Sequence, residues 1–347
     1  MVDSTQHLRV ETTNFPQADW LLRLCPWFIA FVTLTSCGLL PGATGAAERP
    51  RLIRIGALTD SWGPTPSMTG LRHGLLELGY REREDFVLGV RFTKGDTAAL
   101  PTAARQLVQH KVDLIFADSN DSARAAQKAT TQIPIVFAGV EDPIGAKLVQ
   151  TFARPGANLT GVATLDTELS PKRLQTFQEI VPGLKRVLFL YAATDVHSEA
   201  AARVYRDAAR RLGIVLVEQA VRTEEEVQTE LAQVRQRKVD GILAPRCCTL
   251  NLPGTVLQAT TQQGIPTMFN AAFWSERGAL ASYGPGFYES GYQAARLVDK
   301  ILKGVKPSEI PVEVNSNIEL VINLKTAKAL GLTIAPEVLF QANKIVR

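Results

Sequence analysis

The residues able to do chemistry in this chain are few and scattered. His7, His73, His110 and His197 stand apart from one another and from any cluster of cysteines or carboxylates, so no metal set and no acid–base pair is spaced along the sequence. His73 and His110 fall within helical patterns as solvated or packed side chains, and only His197, beside Thr194-Asp195, has a reading as a ligand contact. There is no GxGxxG after a strand, no GxxxxGKS/T, no HExxH and no GxSxG nucleophile elbow. We therefore expect no catalytic residues, no bound metal and no cofactor.

Polar residues gather instead where β-type runs end: Thr59-Asp60-Ser61-Trp62, Asp118-Ser119-Asn120, Gly139 with Glu141-Asp142, Thr194-Asp195, Arg246-Cys247-Cys248, and Asn270 with Phe273. Hydroxyls, carboxylates and amides suit a small polar ligand held by hydrogen bonds, and the helix N-termini that follow such loops favour an anionic group such as a carboxylate. Trp62 or Phe273 could stack on an apolar part of that ligand, although Trp62 fits a core position equally well. Asp60, Asp118, Asp142 and Asp195 fit helix capping as readily as ligand contact. The adjacent Cys247 and Cys248 have Cα atoms about 3.8 Å apart, less than the usual disulfide span of about 4.4–6.8 Å. A vicinal disulfide there would be strained and would stiffen the loop, and two free thiols is the plainer reading.

The elements that must carry these loops alternate. Leu52–Thr59, Phe86–Thr93, Val112–Ala117 and Ile133–Val140 read as strands, separated by helical patterns over Pro66–Gly79, Ala98–His110 and Ser122–Thr131. Farther on, strands at Arg186–Ala192, Ile214–Val221, Val239–Ala244 and Ile265–Asn270 alternate with a helix over His197–Leu212 and one opened by Thr223-x-x-Glu226. Strands apolar on both faces require a parallel sheet covered by helices on both sides. The halves also share words in the same order. Lys111-Val112-Asp113 matches Lys238-Val239-Asp240, and Thr130-Thr131-Gln132-Ile133-Pro134 matches Thr260-Thr261-Gln262 with Ile265-Pro266. Leu58-Thr59-Asp60 likewise matches Ala193-Thr194-Asp195. The fold class expected is α/β, with two similar doubly wound parallel-sheet lobes. In such sheets ligands bind beyond the carboxyl ends of the strands, where the polar loops lie.

Composition narrows the classes further. The 347 residues carry 38 Lys+Arg against 34 Asp+Glu, a formal +4 with no block of like charge, which gives no footing for nucleic acid. Hydrophobic residues at 46% and charged residues at 21% fit a globular chain with ample core. The start of the chain is different. After a polar stretch and Arg23, the run Trp27-Phe28-Ile29-Ala30-Phe31-Val32-Thr33-Leu34 is the length of a signal-peptide core, short of the roughly 20 residues that span a bilayer. Pro41 to Ala47 suits cleavage after Ala47, while Leu34-Thr35-Ser36-Cys37 resembles a lipobox that would make Cys37 a lipidated N-terminus. Residues 1–47 thus read as an export signal, with an uncleaved anchor the alternative. Without them, Arg9 and Arg23 and the acids Asp3, Glu11 and Asp19 are lost, leaving 36 basic against 31 acidic residues.

Several stretches stand out together: Ile133-Pro134-Ile135-Val136-Phe137-Ala138 with Asp142-Pro143; Ala153-Arg154-Pro155-Gly156 through Asn158-Leu159-Thr160-Gly161-Val162; Glu168-Leu169 with Lys172-Arg173-Leu174; Ser282-Tyr283-Gly284-Pro285; and the tail Ile310-Pro311-Val312-Glu313 with Glu319 to Leu332. These stretches resemble one family, the periplasmic substrate-binding proteins of ABC transporters whose better-known members are associated with tryptophan and tyrosine uptake. The chain departs from the family pattern at Ala157, at Gly286 and at Val314-Asn315-Ser316. The resemblance implies a type I, ribose-binding-like fold in which the chain crosses between lobes three times, near Thr164, Tyr283 and Val312. Residues 51–163 plus 284–311 would form one lobe and 164–283 plus 312–347 the other, with Thr164 and Tyr283 reaching the ligand from the hinge. It also implies capture of a small polar, amino acid-like ligand, aromatic in the nearest case, by hinge closure in the periplasm. Delivery would be to permease and ATPase subunits on other chains, with membrane attachment only through the signal segment or a lipid on Cys37. A sensory role with a membrane signalling partner, and a two-lobed α/β enzyme, are the rival readings.

Overall fold

The computed structural model describes residues 51–193, 196–234, 238–243 and 252–347. Thr194, Asp195, Arg246, Cys247, Cys248, the side chain of His197 and the export segment lie outside the described residues.

From the first β-branched run the chain forms β1 (Ile53–Thr59), α1 (Pro66–Glu77), β2 (Phe86–Phe92), α2 (Leu100–Gln109), β3 (Leu114–Ala117), α3 (Asn120–Ala129), β4 (Ile135–Glu141) and β5 (Leu159–Thr164). Next come α4 (Ser170–Ile180), β6 (Arg186–Ala192), α5 (Val196–Leu212), β7 (Val215–Val221), α6 (Glu224–Ala232), β8 (Gly241–Leu243), α7 (Leu252–Gln263), β9 (Thr267–Phe269), α8 (Ala272–Glu276) and β10 (Ala281–Pro285). The tail supplies α9 (Phe287–Leu302), β11 (Glu313–Val314), β12 (Ile318–Asn323), α10 (Leu324–Ala329), α11 (Pro336–Gln341) and β13 (Lys344–Val346).

These strands make two sheets. The first runs β11-β5-β4-β3-β1-β2 and the second β13-β12-β10-β9-β8-β6-β7. Within them the orders β5-β4-β3-β1-β2 and β10-β9-β8-β6-β7 are the same pattern, so the repeated words mark a repeated lobe. Pairings along both series are parallel, and among the described residues only β10–β12 is antiparallel. Each sheet is buried on both faces. In β3, Leu114 and Phe116 join one apolar cluster with α1 and α9 residues, while Ile115 and Ala117 join another with α2 and α3 residues.

The shared words do the same work in both lobes. Lys111 and Lys238 both sit in the left-handed region, each at a φ of 52°, and each precedes an aspartate that pins the start of the first strand. Asp113 accepts from the Arg54 amide at 2.8 Å, and Asp240 accepts from the Lys185 and Arg186 amides at 2.9 and 2.8 Å. The same two aspartate amides donate to the carbonyls of Arg54 and Arg186, both at 2.8 Å. The Ile-Pro words match too, since the Pro134 and Pro266 carbonyls accept from Ile115 and Ile242, both at 2.9 Å. This also explains why β3 and β8 begin later than their sequence runs suggest.

The joints fall slightly later than expected. β10 stays in the second sheet through Pro285, and α9 packs on α1 of the first lobe, so the second passage runs through Gly286 rather than Tyr283. Glu313–Val314 pairs with β5 in the first sheet, so the third passage follows Val314 rather than Val312.

Candidate functional site

All five strands of the first series point the same way, which gathers the segments after Thr59, Ala117, Glu141 and Thr164 on one edge. The second series brings the strand ends Ala192, Leu243 and Phe269 to one edge likewise. Between the lobes, beside these edges, lies a cavity of about 520 Å³. It is walled on one side by Pro66, Phe287, Tyr288 and Glu289, and on the other by residues that include Phe273 and Glu319.

On the first lobe the candidates divide by what their polar atoms already do. Thr59 is fully buried and its hydroxyl accepts from the Ser61 amide at 3.0 Å, so it shapes the turn. Ser61 closes that turn through the Gly63 carbonyl and amide. Ser119 is the N-cap of α3, in a reciprocal capping box with Ser122 that starts the helix at Asn120, two residues before the predicted start. Asn120 is buried and clamps β4, donating to the Glu141 carbonyl at 2.8 Å and accepting from its amide at 2.9 Å. Asp142 is exposed at a φ of 41° and caps its own turn by accepting from Gly145 at 2.9 Å. Gly139 stands at a β-bulge with a φ of 72°, which shifts the register between β4 and β5 just before Glu141.

Three carboxylates remain on that edge, Asp60, Asp118 and Glu141, each more than nine-tenths buried. Asp118 accepts from the Ser67 hydroxyl of α1 at 3.4 Å, and Glu141 accepts from the Thr167 hydroxyl at 2.9 Å. Thr164, opposite Glu141 in the register, is buried, and its hydroxyl has no hydrogen-bond partner among the described residues. Trp62 is no core residue, with 59% of its surface exposed immediately after the β1 turn. Leu165, just after β5, is also an exposed apolar residue. The first-lobe edge therefore combines buried carboxyl groups with open apolar surface.

On the second lobe, Asn270 is buried and its amide donates to Asp166 at 2.8 Å, so it serves the frame of the wall. Phe273 is half-buried, lines the cavity, and carries the Arg277 guanidinium 3.4 Å above its ring. Tyr283 packs against the lobe core, and burial pushes its phenol above the ordinary range against the pull of Arg173.

Two polar groups that were not among the predicted site residues hold the joints together. Asn315 is fully buried in the third passage; its amide donates to the Ala163 carbonyl at 2.9 Å, and its side chain donates to the Gly286 carbonyl at 2.7 Å. It thereby ties all three passages to one another. Arg173 of α4 is equally buried and bonds Asp166, Tyr205 and the Tyr283 carbonyl. Burial works against its charge, but Asp166 and Tyr205 more than offset this and hold its pKa above the usual arginine value. Arg173 was legible as an anomaly, because 173, 174, 177 and 180 fall on one apolar helix face.

Comparison with known proteins places this architecture. Residues 63–346 match the family model of the ABC transporter substrate binding protein. The "Tyrosine-binding protein" of Clostridioides difficile (strain R20291) is 27% identical over 308 residues, covering 86% of this chain and 88% of that protein. A conserved domain protein from Vibrio cholerae O1 biovar El Tor superposes with a TM-score of 0.76 at 29% identity, over 86% of this chain and all of that one. A streptococcal ABC domain in complex with L-Trp, from Streptococcus pneumonia, gives a TM-score of 0.75 at 28% identity, over 85% of this chain and 99% of that one.

Proposed function

Since this chain belongs to the family of ABC transporter substrate-binding proteins, we propose that its ligand is a small amino acid with an aromatic or other large apolar side chain, captured between the lobes. The observation that carries this reading is the first-lobe edge, which holds the buried carboxyl groups of Asp60, Asp118 and Glu141 and, just after the β1 turn, the exposed Trp62. Carboxylates favour an ammonium group, and an exposed indole favours an apolar or aromatic face. The Tyr and L-Trp named for two relatives agree with that chemistry. Capture proceeds by closure about the passages near Leu165, Gly286 and Asn315, since only a ligand touching both lobes favours the closed state. Ligand contacts from Thr194, Asp195 and Arg246 would come from the second lobe. The ligand then passes to permease and ATPase subunits on other chains.

We further propose that residues 1–47 direct export to the periplasm, with cleavage after Ala47 or lipidation at Cys37. Among the described residues no helix is long and apolar enough to cross a membrane. Mass spectrometry of the mature N-terminus distinguishes the two routes.

The experiment for the ligand is a thermal-shift screen of the chain from Glu48 with the twenty amino acids, organic acids and sugars. At about 100 times the dissociation constant a true ligand adds about 2.7 kcal/mol of stability. A shift with Trp, Tyr or Phe is the expected result. A shift confined to sugars or to acids without an amino group would overturn the reading.

A further inference from the structure

We infer that Asp166 and Arg173 form a positioning pair that fastens the ligand wall of the second lobe to the strands joining the lobes. Five segments meet at the pair, α4 carrying Arg173 among them. Asp166 lies in the first passage, directly after β5, and one carboxylate oxygen takes the Arg173 Nη2 while the other takes the Asn270 amide at 2.8 Å. The remaining arms of Arg173 reach the Tyr283 carbonyl on β10, which leads into the second passage, and the Tyr205 hydroxyl of α5 at 2.8 Å. β10 also runs against Asn270 so closely that a Cβ on Gly284 would lie 1.9 Å from the Asn270 carbonyl oxygen. Asn270 follows β9 and starts the segment that carries Phe273 into the cavity.

The energetics favour a geometric role over a stabilising one. Arg173 and Asp166 are 3% and 6% exposed, and taking two such charges out of water offsets most of their attraction, so apolar residues of the same volume would hold the core as well. Both oxygens of Asp166 and three donors of Arg173 are directed at different segments, which apolar packing cannot reproduce. The wall at 270–276 and the strands at the joint then move as one body, and the wall arrives in register when the lobes close. This role rests on the capture reading, since only a closing cleft needs such registration.

The test uses the free protein, so it does not depend on the ligand. Asn270→Ala keeps the ion pair but releases the wall; amide exchange over 271–277 should rise at least tenfold while α4 keeps its protection. Asn270→Asp is the sharper variant. Its new carboxyl can donate to Asp166 only when protonated, facing Arg173 from α4 and Tyr205 from α5 across the same pair. Protection of 271–277, corrected for the intrinsic pH dependence of exchange, should be near normal in acid and lost as pH rises. A residue that merely fills space would produce no such profile. Unchanged exchange in Asn270→Ala, a rise spread evenly over the whole lobe, or a pH-independent Asn270→Asp would each overturn the proposal. Adding L-tryptophan or L-tyrosine to the unaltered protein tests the capture reading separately: if neither protects 271–277 while both variants behave as stated, the positioning role stands and the ligand assignment fails.

Discussion

Replacing Trp62 by alanine should weaken ligand capture about tenfold and leave the fold alone. An aromatic side chain offers about 150–250 Å², and with 59% of Trp62 exposed about 120 Å² is open to a partner. A ligand stacked on one ring face covers about half of that. At about 25 cal/mol per Å² the lost contact is worth about 1.5 kcal/mol, close to a factor of ten in the dissociation constant. Titration calorimetry with whichever of L-tryptophan or L-tyrosine binds more tightly reads that factor directly. The melting temperature of the free Trp62→Ala protein serves as the control, because a side chain this exposed supports little of the core. A dissociation constant within twofold of the unaltered protein would refute the stacking argument, and with it the aromatic part of the proposed ligand. A drop in the melting temperature without ligand would show that Trp62 belongs to the fold.

Two further outcomes follow from the frame. Asp113→Ala and Asp240→Ala each remove a carboxylate that holds backbone amides at the start of β1 and β6. Each should cost about 1–3 kcal/mol in urea unfolding, and the pair should add, because they lie in different lobes; if one costs nothing, the shared Lys-Val-Asp word has no shared task. Burial, with Glu289 and Glu276 nearby, raises the Glu319 carboxyl above the ordinary glutamate value against the pull of Lys344. The folded protein then holds that proton more tightly than the unfolded chain. Its stabilising contribution is full below the ordinary glutamate pKa and is lost as pH rises through the raised folded value. Glu319→Gln should flatten this part of the melting profile above about pH 4.5, and an unchanged slope would remove Glu319 from the account.

The repeated lobe was legible because its signals are local and occur twice. A lysine in the left-handed region followed by an inward aspartate leaves the same three letters in each half. The joints were less legible. β11 has two residues, too few for any periodicity, so the third passage showed only once its pairing with β5 was visible. Asn315 carried a signal, standing where the family pattern differs, but an asparagine in a loop looks the same whether it faces water or ties three strands. Arg173 was visible as a charge on an apolar helix face, yet its partners Asp166, Tyr205 and Tyr283 lie 7, 32 and 110 residues away.

The candidate site reads from the sequence as a set of loops and not as a set of contacts, for a physical reason. A cleft that opens to solvent must keep its loops in shape without the ligand, and backbone amides at sheet edges need partners. The nearest polar side chains supply them: Thr59 holds Ser61, Ser119 caps α3, Asn120 clamps Glu141 and Asp142 caps its turn. These residue types at these positions are therefore expected in any protein of this architecture, whatever it binds. Under the proposed function, selectivity on the first lobe falls to the buried carboxyl groups and Trp62. Because the turns are already held, little of the binding free energy goes into ordering them. Changing Asp60 or Trp62 should then alter which ligand is chosen, whereas changing Thr59 or Asn120 should weaken every ligand together by loosening the edge itself.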